Sequence, residues 1–311
     1  MKNLLFYLVF ACTALFGLSS CSSQQENDPI SSESALLTEL SRFNQSLLKS
    51  IPETRLSKRE FLEIATADVT GAFTGGEAGS SVGRKIGFFL GNPITGSVFG
   101  AAVGALAFGT YSSWLASPDE PNDDSQYEAE DVDFETIINI YDEYVGLAET
   151  NEIAFESEEV EEAVMLDEDL EEAVELEEEE MEVGMMHNIL LAGLEGDLVE
   201  VETSFITRSS LDNDQQLEYN ILHSSEMENV FNELCQNQAH FDNSLPSSVM
   251  NLFSSIFQVF PENGNDVVYL INTYHRMVEQ SNELSQDEKQ WIYMGLAVSL
   301  YSFNYWNKRL N

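Results

Sequence analysis

The sequence predicts an all-α protein: a helical bundle with a glycine-zipper helical hairpin and an acidic, partly disordered insertion. Three observations lead there. Apolar residues return at i, i+3, i+4 and i+7 in most segments that carry a core signal. No series of short alternating segments joined by hairpin turns occurs. Glycine falls at 71, 75, 79, 83, 87 and 91 and again at 96, 100 and 104, a four-residue step that a helix turns into one face.

The elements follow in order. Residues 34–50 place Leu36, Leu37, Leu40, Phe43, Leu47 and Leu48 in one helical stripe. Ser57-Lys58-Arg59-Glu60 has the capping-box pattern ahead of Phe61, Leu62, Ile64 and Ala65, and the helix it opens runs into the glycine repeat. Residues 134–147 (FETIINIYDEYVGL) carry Ile137, Ile140, Tyr141, Tyr144 and Val145 at helical spacing. Further helices are expected over 185–198, 215–235, 247–260 and 266–280, with Pro246, Pro261 and Asn263-Gly264 as breaks. Ser285-Gln286-Asp287-Glu288 is a second capping box and opens the last helix. Its stretch WIYMGLAVSLYSFNYW, residues 291–306, is apolar on every side yet shorter than the ~20 residues of a membrane span, so it reads as a core helix.

The glycines need a reason, because each costs roughly 0.8–1 kcal/mol against alanine in a helix. A flexible linker would lack bulk, whereas Phe73, Val82, Ile86, Phe88, Phe89, Leu90, Val98, Phe99, Val103, Leu106 and Phe108 stand among them. Spaced by four, Gly71, Gly75, Gly79, Gly83, Gly87, Gly91, Gly96, Gly100 and Gly104 form a groove that admits another backbone. Asn92-Pro93 interrupts the helix, so the two halves fold on each other as a hairpin over 71–115. Close packing then offsets the propensity cost. Membrane spanning is the competing use. Glu77, Arg84 and Lys85 oppose it in the first half, at ~2.5–3.5 kcal/mol per mid-membrane charge. The uncharged residues 94–115 are long enough to cross, with Tyr111 and Trp114 placed like interfacial anchors. The balance favours a packed hairpin.

Charge bounds the partners. With 55 acidic and 13 basic residues the 311-residue chain carries a formal charge of −42, which argues against nucleic acid and anionic lipid surfaces as partners by attraction. Residues 119–182 hold 29 of the acids and no lysine or arginine. Such density opposes compaction, and residues 149–183 are expected to be an acidic insertion, disordered or a solvated helix. Within it Glu161-Glu162-Ala163-Val164 returns as Glu171-Glu172-Ala173-Val174. Asp167 to Glu172 offers calcium-type ligands but has Glu172 where an EF-hand loop requires glycine, so no metal site is assigned.

No enzymatic signature emerges. His187, His223, His240 and His275 show no HExxH spacing, and neither CxxC nor GxxxxGK[ST] occurs. No catalytic residue and no cofactor are assigned. Cys235 has no intrachain partner and is expected to be a buried small apolar residue.

The amino end bears on location. MKNLLFYLVFACTALFGLSSC places Lys2, an apolar run over 4–18 and small residues ahead of a cysteine, the order of a secretory signal peptide. Leu18-Ser19-Ser20-Cys21 resembles the lipobox of bacterial lipoproteins. The resemblance implies a signal peptide over 1–20, acylation of Cys21, and membrane attachment through two or three fatty chains. Residues 21–33 read as a polar tether. The glycine repeat, on the nine glycines named above, resembles the zipper region of certain outer-membrane lipoproteins whose two zipper helices follow a lipobox. The expected organisation is a helical region over 34–148 containing the hairpin, the insertion over 149–183, and a helical region over 184–311. The expected function is that of a non-enzymatic cell-envelope lipoprotein, held at the outer membrane by its lipid, whose hairpin packs with a helical partner, a second copy or the bilayer. A membrane-active, bacteriocin- or toxin-like effector is the alternative.

Overall fold

A helix this rich in aromatic residues has to be surrounded, and the last helix of the chain is. The computed structural model describes residues 34–51, 60–117, 132–145, 154–199, 213–237 and 244–310. Helix α1 spans Ala35–Leu48, α2 Glu60–Leu90, α3 Pro93–Ala116 and α4 Phe134–Ile140, the last widening into a π-helical turn over Tyr141–Val145. Then come α5 (Glu158–Val164), α6 (Glu168–Ala173), α7 (Glu178–Glu195), α8 (Asn213–Leu222), α9 (Ser225–Asn237), α10 (Leu245–Phe257), α11 (Gly264–Gln280) and α12 (Gln286–Leu310). The all-α bundle expected from the periodicity is the architecture observed. Its one β feature among the described residues is a two-residue antiparallel pairing of Ala154–Phe155 (β1) with Leu198–Val199 (β2).

Helix α12 forms the hub, packing on α2, α3, α5, α7, α10 and α11. Ile292, Leu296, Ala297, Val298, Leu300 and Tyr305 are fully enclosed. Its start is the capping box read from the sequence: Glu288 N donates to Ser285 Oγ at 3.3 Å, and Ser285 N donates to Glu288 Oε2 at 2.7 Å. Around the hub, α1 rests on α10 and α11. Asn44 Nδ2 donates to the Leu252 carbonyl at 2.8 Å, and the Tyr274 hydroxyl donates to Asn44 Oδ1 at 2.9 Å. The hairpin of α2 and α3 lies against α7, α8, α9 and α12.

Several boundaries differ from the expected ones for identifiable reasons. The helix expected over 185–198 begins at Glu178 and stops at Gly196, which takes the left-handed conformation (φ 79°). The stretch 215–235 is two helices, because Ser224 Oγ accepts from Met227 N at 3.1 Å and caps a new start. The capping-box residues Ser57, Lys58 and Arg59 lie outside the described residues, as do the expected signal peptide and tether.

The acidic stretch is the main correction. Over residues 154–183 it is folded, and all its acids but the buried Glu180 are exposed. Val160, Ala163 and Val164 are buried in the core. The carbonyls at the end of α5 are held by α12: Asn304 Nδ2 donates to those of Glu162, Ala163 and Met165 at 3.2, 3.0 and 2.7 Å, and Lys308 Nζ to that of Glu162 at 2.8 Å. Next, Asn272 of α11 accepts from Glu175 N and donates to the Ala173 carbonyl, both at 2.8 Å. Backbone capping by amides lets nearly all the carboxylates stay in water, where solvent and salt screen the self-repulsion that argued for disorder. The described stretches of 34–148, 149–183 and 184–311 belong to one unit, Ser34–Asn311.

Candidate functional site: the glycine seam and the polar cluster beneath it

The α2–α3 hairpin begins from its turn. Gly91 adopts φ 88°, Gly91 N donates to the Phe88 carbonyl (3.3 Å), and Asn92 N donates to that of Gly87 (2.8 Å). This pair of bonds is the Schellman termination, which needs a residue tolerant of the left-handed region. Asn92 then caps α3, its side chain accepting from Thr95 N at 3.4 Å, with Pro93 in the first turn. Gly91 was expected to pack in the groove. A Cβ on it would meet nothing within 4 Å, so its place is in the turn and not in the seam.

The other eight glycines line the contact between the helices. Gly79, Gly83 and Gly87 approach Gly104, Gly100 and Gly96 at the Cα, in antiparallel register, and the carbonyls of Gly104, Gly100 and Gly96 stand where a Cβ on Gly75, Gly79 or Gly83 would lie. Gly87 meets Asn92 and Gly96 at the turn, and Gly71 meets Phe108 and Ser112 at the other end. A Cβ on Gly83 would lie 2.7 Å from the Gly100 Cα and overlap the Gly96 carbonyl oxygen; one on Gly100 would lie 2.7 Å from the Gly83 Cα. These are backbone atoms that no rotamer change can move. Polar contacts also span the seam: Ser80 Oγ lies 2.7 Å from Ser97 Oγ, both buried, and Arg84 Nη2 donates to Ser97 Oγ at 3.4 Å. Tyr111 and Trp114, which a membrane-spanning helix would use as interfacial anchors, pack against the protein instead. Trp114 is buried, and Tyr111 is half-buried beside Phe108 and Phe231, at ring-centroid distances of 6.0 and 5.3 Å.

Gly79-Ser80-Ser81-Val82-Gly83 fits the GxSxG pattern of hydrolase nucleophiles. It lies in mid-helix within α2, with both glycines in the seam, and lacks the strand-to-helix turn that raises such a serine.

Where the hairpin enters the core, a buried polar cluster joins four helices, and sequence reasoning did not find it. Asp68 of α2 accepts at Oδ2 from the Ser302 hydroxyl and, at 3.2 Å, from Trp306 Nε1 of α12. Trp306 Nε1 also reaches Ser113 Oγ of α3 at 3.1 Å. His187 Nε2 of α7 stands 3.9 Å from Asp68 Oδ2, beyond hydrogen-bond range, and Asn188 Nδ2 donates to the carbonyls of Val164 (3.1 Å) and Tyr301 (3.0 Å). Asp68 and His187 have no solvent exposure. Burial pushes the Asp68 carboxyl up to about 7 and the His187 imidazole down to about 4. Between those values both sit uncharged, so the contact is no ion pair there. Asp68 Oδ1 and His187 Nε2 make no hydrogen bond. With no opening to solvent the pair ties helices together and offers nothing to a substrate. The signal was Asp68 itself, a carboxylate on an otherwise apolar helical face.

The remaining candidate residues separate. His223 pairs with Asp142 at 3.4 Å on the surface, whereas His240 and Cys21 lie outside the described residues. His275 packs on the Tyr293 ring at 4.6 Å. Cys235 is half-buried, a free thiol that burial pushes up to about 11, so it resists forming the thiolate. Among the described residues no three His, Cys, Asp or Glu side chains converge as a metal site would require. Comparison with known protein families, with curated proteins and with solved structures finds no match.

Proposed function

We propose that the chain is a non-enzymatic cell-envelope lipoprotein, acylated at Cys21 and held at the outer membrane, on its periplasmic side or at the cell surface, that works through contacts made by its helical hairpin. The observation that carries this reading is the hairpin itself. Eight glycines appose two backbones in an antiparallel hairpin whose flanks pack into the bundle and whose turn, with Phe88, Phe89, Leu90 and Ile94, stays exposed for contact. The lipobox-like Leu18-Ser19-Ser20-Cys21 supplies the location. Two or three acyl chains make such attachment stable where one would be marginal. Incorporation of a fatty-acid analogue into the wild type but not into Cys21→Ala, combined with protease shaving of intact cells, tests attachment and sidedness together. An unlabelled wild type removes the lipoprotein reading.

One observation favours the alternative, a membrane-active effector. Helix α3 is the one described helix long and apolar enough, by length and composition, to cross a bilayer, although most of it is buried within the protein. Dye release from liposomes by the purified protein tests it. Intact liposomes across lipid compositions and pH remove it.

A further inference from the structure

The four most exposed large apolar side chains among the described residues all lie at the turn of the hairpin: Phe89 at 85%, Ile94 at 75%, Phe88 at 72% and Leu90 at 55%. The rings of Phe88 and Phe89 meet edge-on at 6.1 Å, so the surface is continuous. Exposed apolar patches of this kind mark contact with a partner or a membrane. The turn closes between two antiparallel helix ends and presents an apolar projection. A projection suits a fluid that rearranges around it.

Charge points the same way. Arg84 and Lys85 stand one turn behind Phe88, both exposed, and Arg84 also pairs with Asp287. No acidic residue occurs over 78–118, in a chain with 55 of them. Aromatic and aliphatic side chains ahead of cations are the arrangement that places rings among acyl chains and cations at the phosphates.

We propose that Phe88, Phe89, Leu90 and Ile94 form a lipid-docking wedge that enters the outer part of a phospholipid bilayer, with Arg84 and Lys85 at the phosphate level and the glycine seam closed. The helices stay out, because the apolar surface of α3 is already covered by α2, α7, α8 and α12. The wedge rests on the reading that the chain acts at a membrane, and is independent of acylation at Cys21. Since the body of the protein is acidic, screening by salt should strengthen docking on anionic vesicles, the reverse of a purely basic membrane binder.

The test uses the full chain carrying Phe89→Trp, with phosphatidylcholine vesicles whose acyl chains are brominated, with and without phosphatidylglycerol. Emission from the introduced indole should shift to the blue and be quenched, while the wild-type signal of Trp114, Trp291 and Trp306 stays unquenched. With Cys21→Ala in both chains, the variant Phe88→Ser/Phe89→Ser/Leu90→Ser/Ile94→Ser should melt like its parent and partition onto vesicles at least ~10-fold less. Adding Cys21→Ala to the Phe89→Trp chain should leave the response of the introduced indole intact, which separates the wedge from the lipid anchor. An introduced indole that keeps its emission in water while the chain is on vesicles overturns the wedge. So does quenching of Trp114, which would mean that the helices enter, or conversion of a dimer to a monomer by the fourfold variant without loss of lipid binding, which would assign the patch to a second copy.

Discussion

Helices α3 and α12 are both apolar around most of their circumference and both are surrounded by protein, yet they reach that state by opposite means. Along the seam α3 meets α2 with hydrogen atoms where side chains would be, at Gly96, Gly100 and Gly104. Helix α12 fills its surroundings with Tyr301, Phe303, Tyr305 and Trp306. One interface is stable because atoms are absent, the other because they are present. Burial alone therefore does not tell how a position responds to change. The volume that the neighbour leaves does.

The contrast breaks most visibly under substitutions of opposite size. Gly100→Leu should destabilise by more than about 3 kcal/mol, because the added atoms meet the Gly79 carbonyl and the Gly83 Cα, which cannot swing aside. Trp306→Ala should lose about 3–5 kcal/mol for the reverse reason, an emptied site whose hydrogen bonds to Asp68 and Ser113 vanish with it. Chemical denaturation reads both, and a neutral Gly100→Leu would remove the seam from the energetics.

The repeated tetrapeptide sharpens the same lesson at smaller scale. Val164 is fully buried, whereas Val174, at the equivalent place ten residues on, is only partly covered. Val164→Ala should lose about 2 kcal/mol and Val174→Ala less than about 1. Equal losses would show that sequence, and not packing, sets the effect.

Next is pH. The folded carboxyl of Asp68 titrates near 7 and its ordinary value is 3.8, so between these the folded protein holds the extra proton and stability falls as pH rises. His187 has the opposite slope between about 4 and 6.5, where the unfolded chain holds the extra proton. The two oppose each other up to about 6.5, and above that Asp68 acts without the histidine. Glu180 and Glu195, each pushed up to about 7 by burial, share the sign of Asp68. Asp68→Asn should thus raise stability at pH 8 by about 1–2 kcal/mol and leave it little changed at pH 5. Melting curves at the two values check it, and a loss of stability at pH 8 would mean that the hydrogen bonds outweigh the buried charge.

The smallest effect belongs to the turn. Gly91→Ala should cost about 1 kcal/mol, from the left-handed backbone alone, since no neighbour crowds the site. A melting shift as large as that of Gly100→Leu would place Gly91 in the seam after all.

Local chemistry made much of this legible. Glycine at every fourth position, Asn92-Pro93, and the pairing of Ser285 with Glu288 each act within a turn or two of chain. What stayed hidden depends on distant partners. Asp68 meets Ser302 and Trp306 across more than two hundred residues, and the acidic stretch folds because Asn304 and Asn272 cap its backbone from other helices. Counting its carboxylates measured repulsion, but Val160 and Val164 decided which side faced in. The break at Ser224 was written as an N-cap, yet the apolar period around it was continuous enough to mask it.

Contact between the two backbones is measured most directly by nuclear Overhauser effects between α-protons in a sample labelled at glycine. Cross-peaks joining Gly79 to Gly104, Gly83 to Gly100 and Gly87 to Gly96, with none from Gly91, are the expected pattern. Glycine α-protons that see only side chains of other residues would contradict a seam of touching backbones.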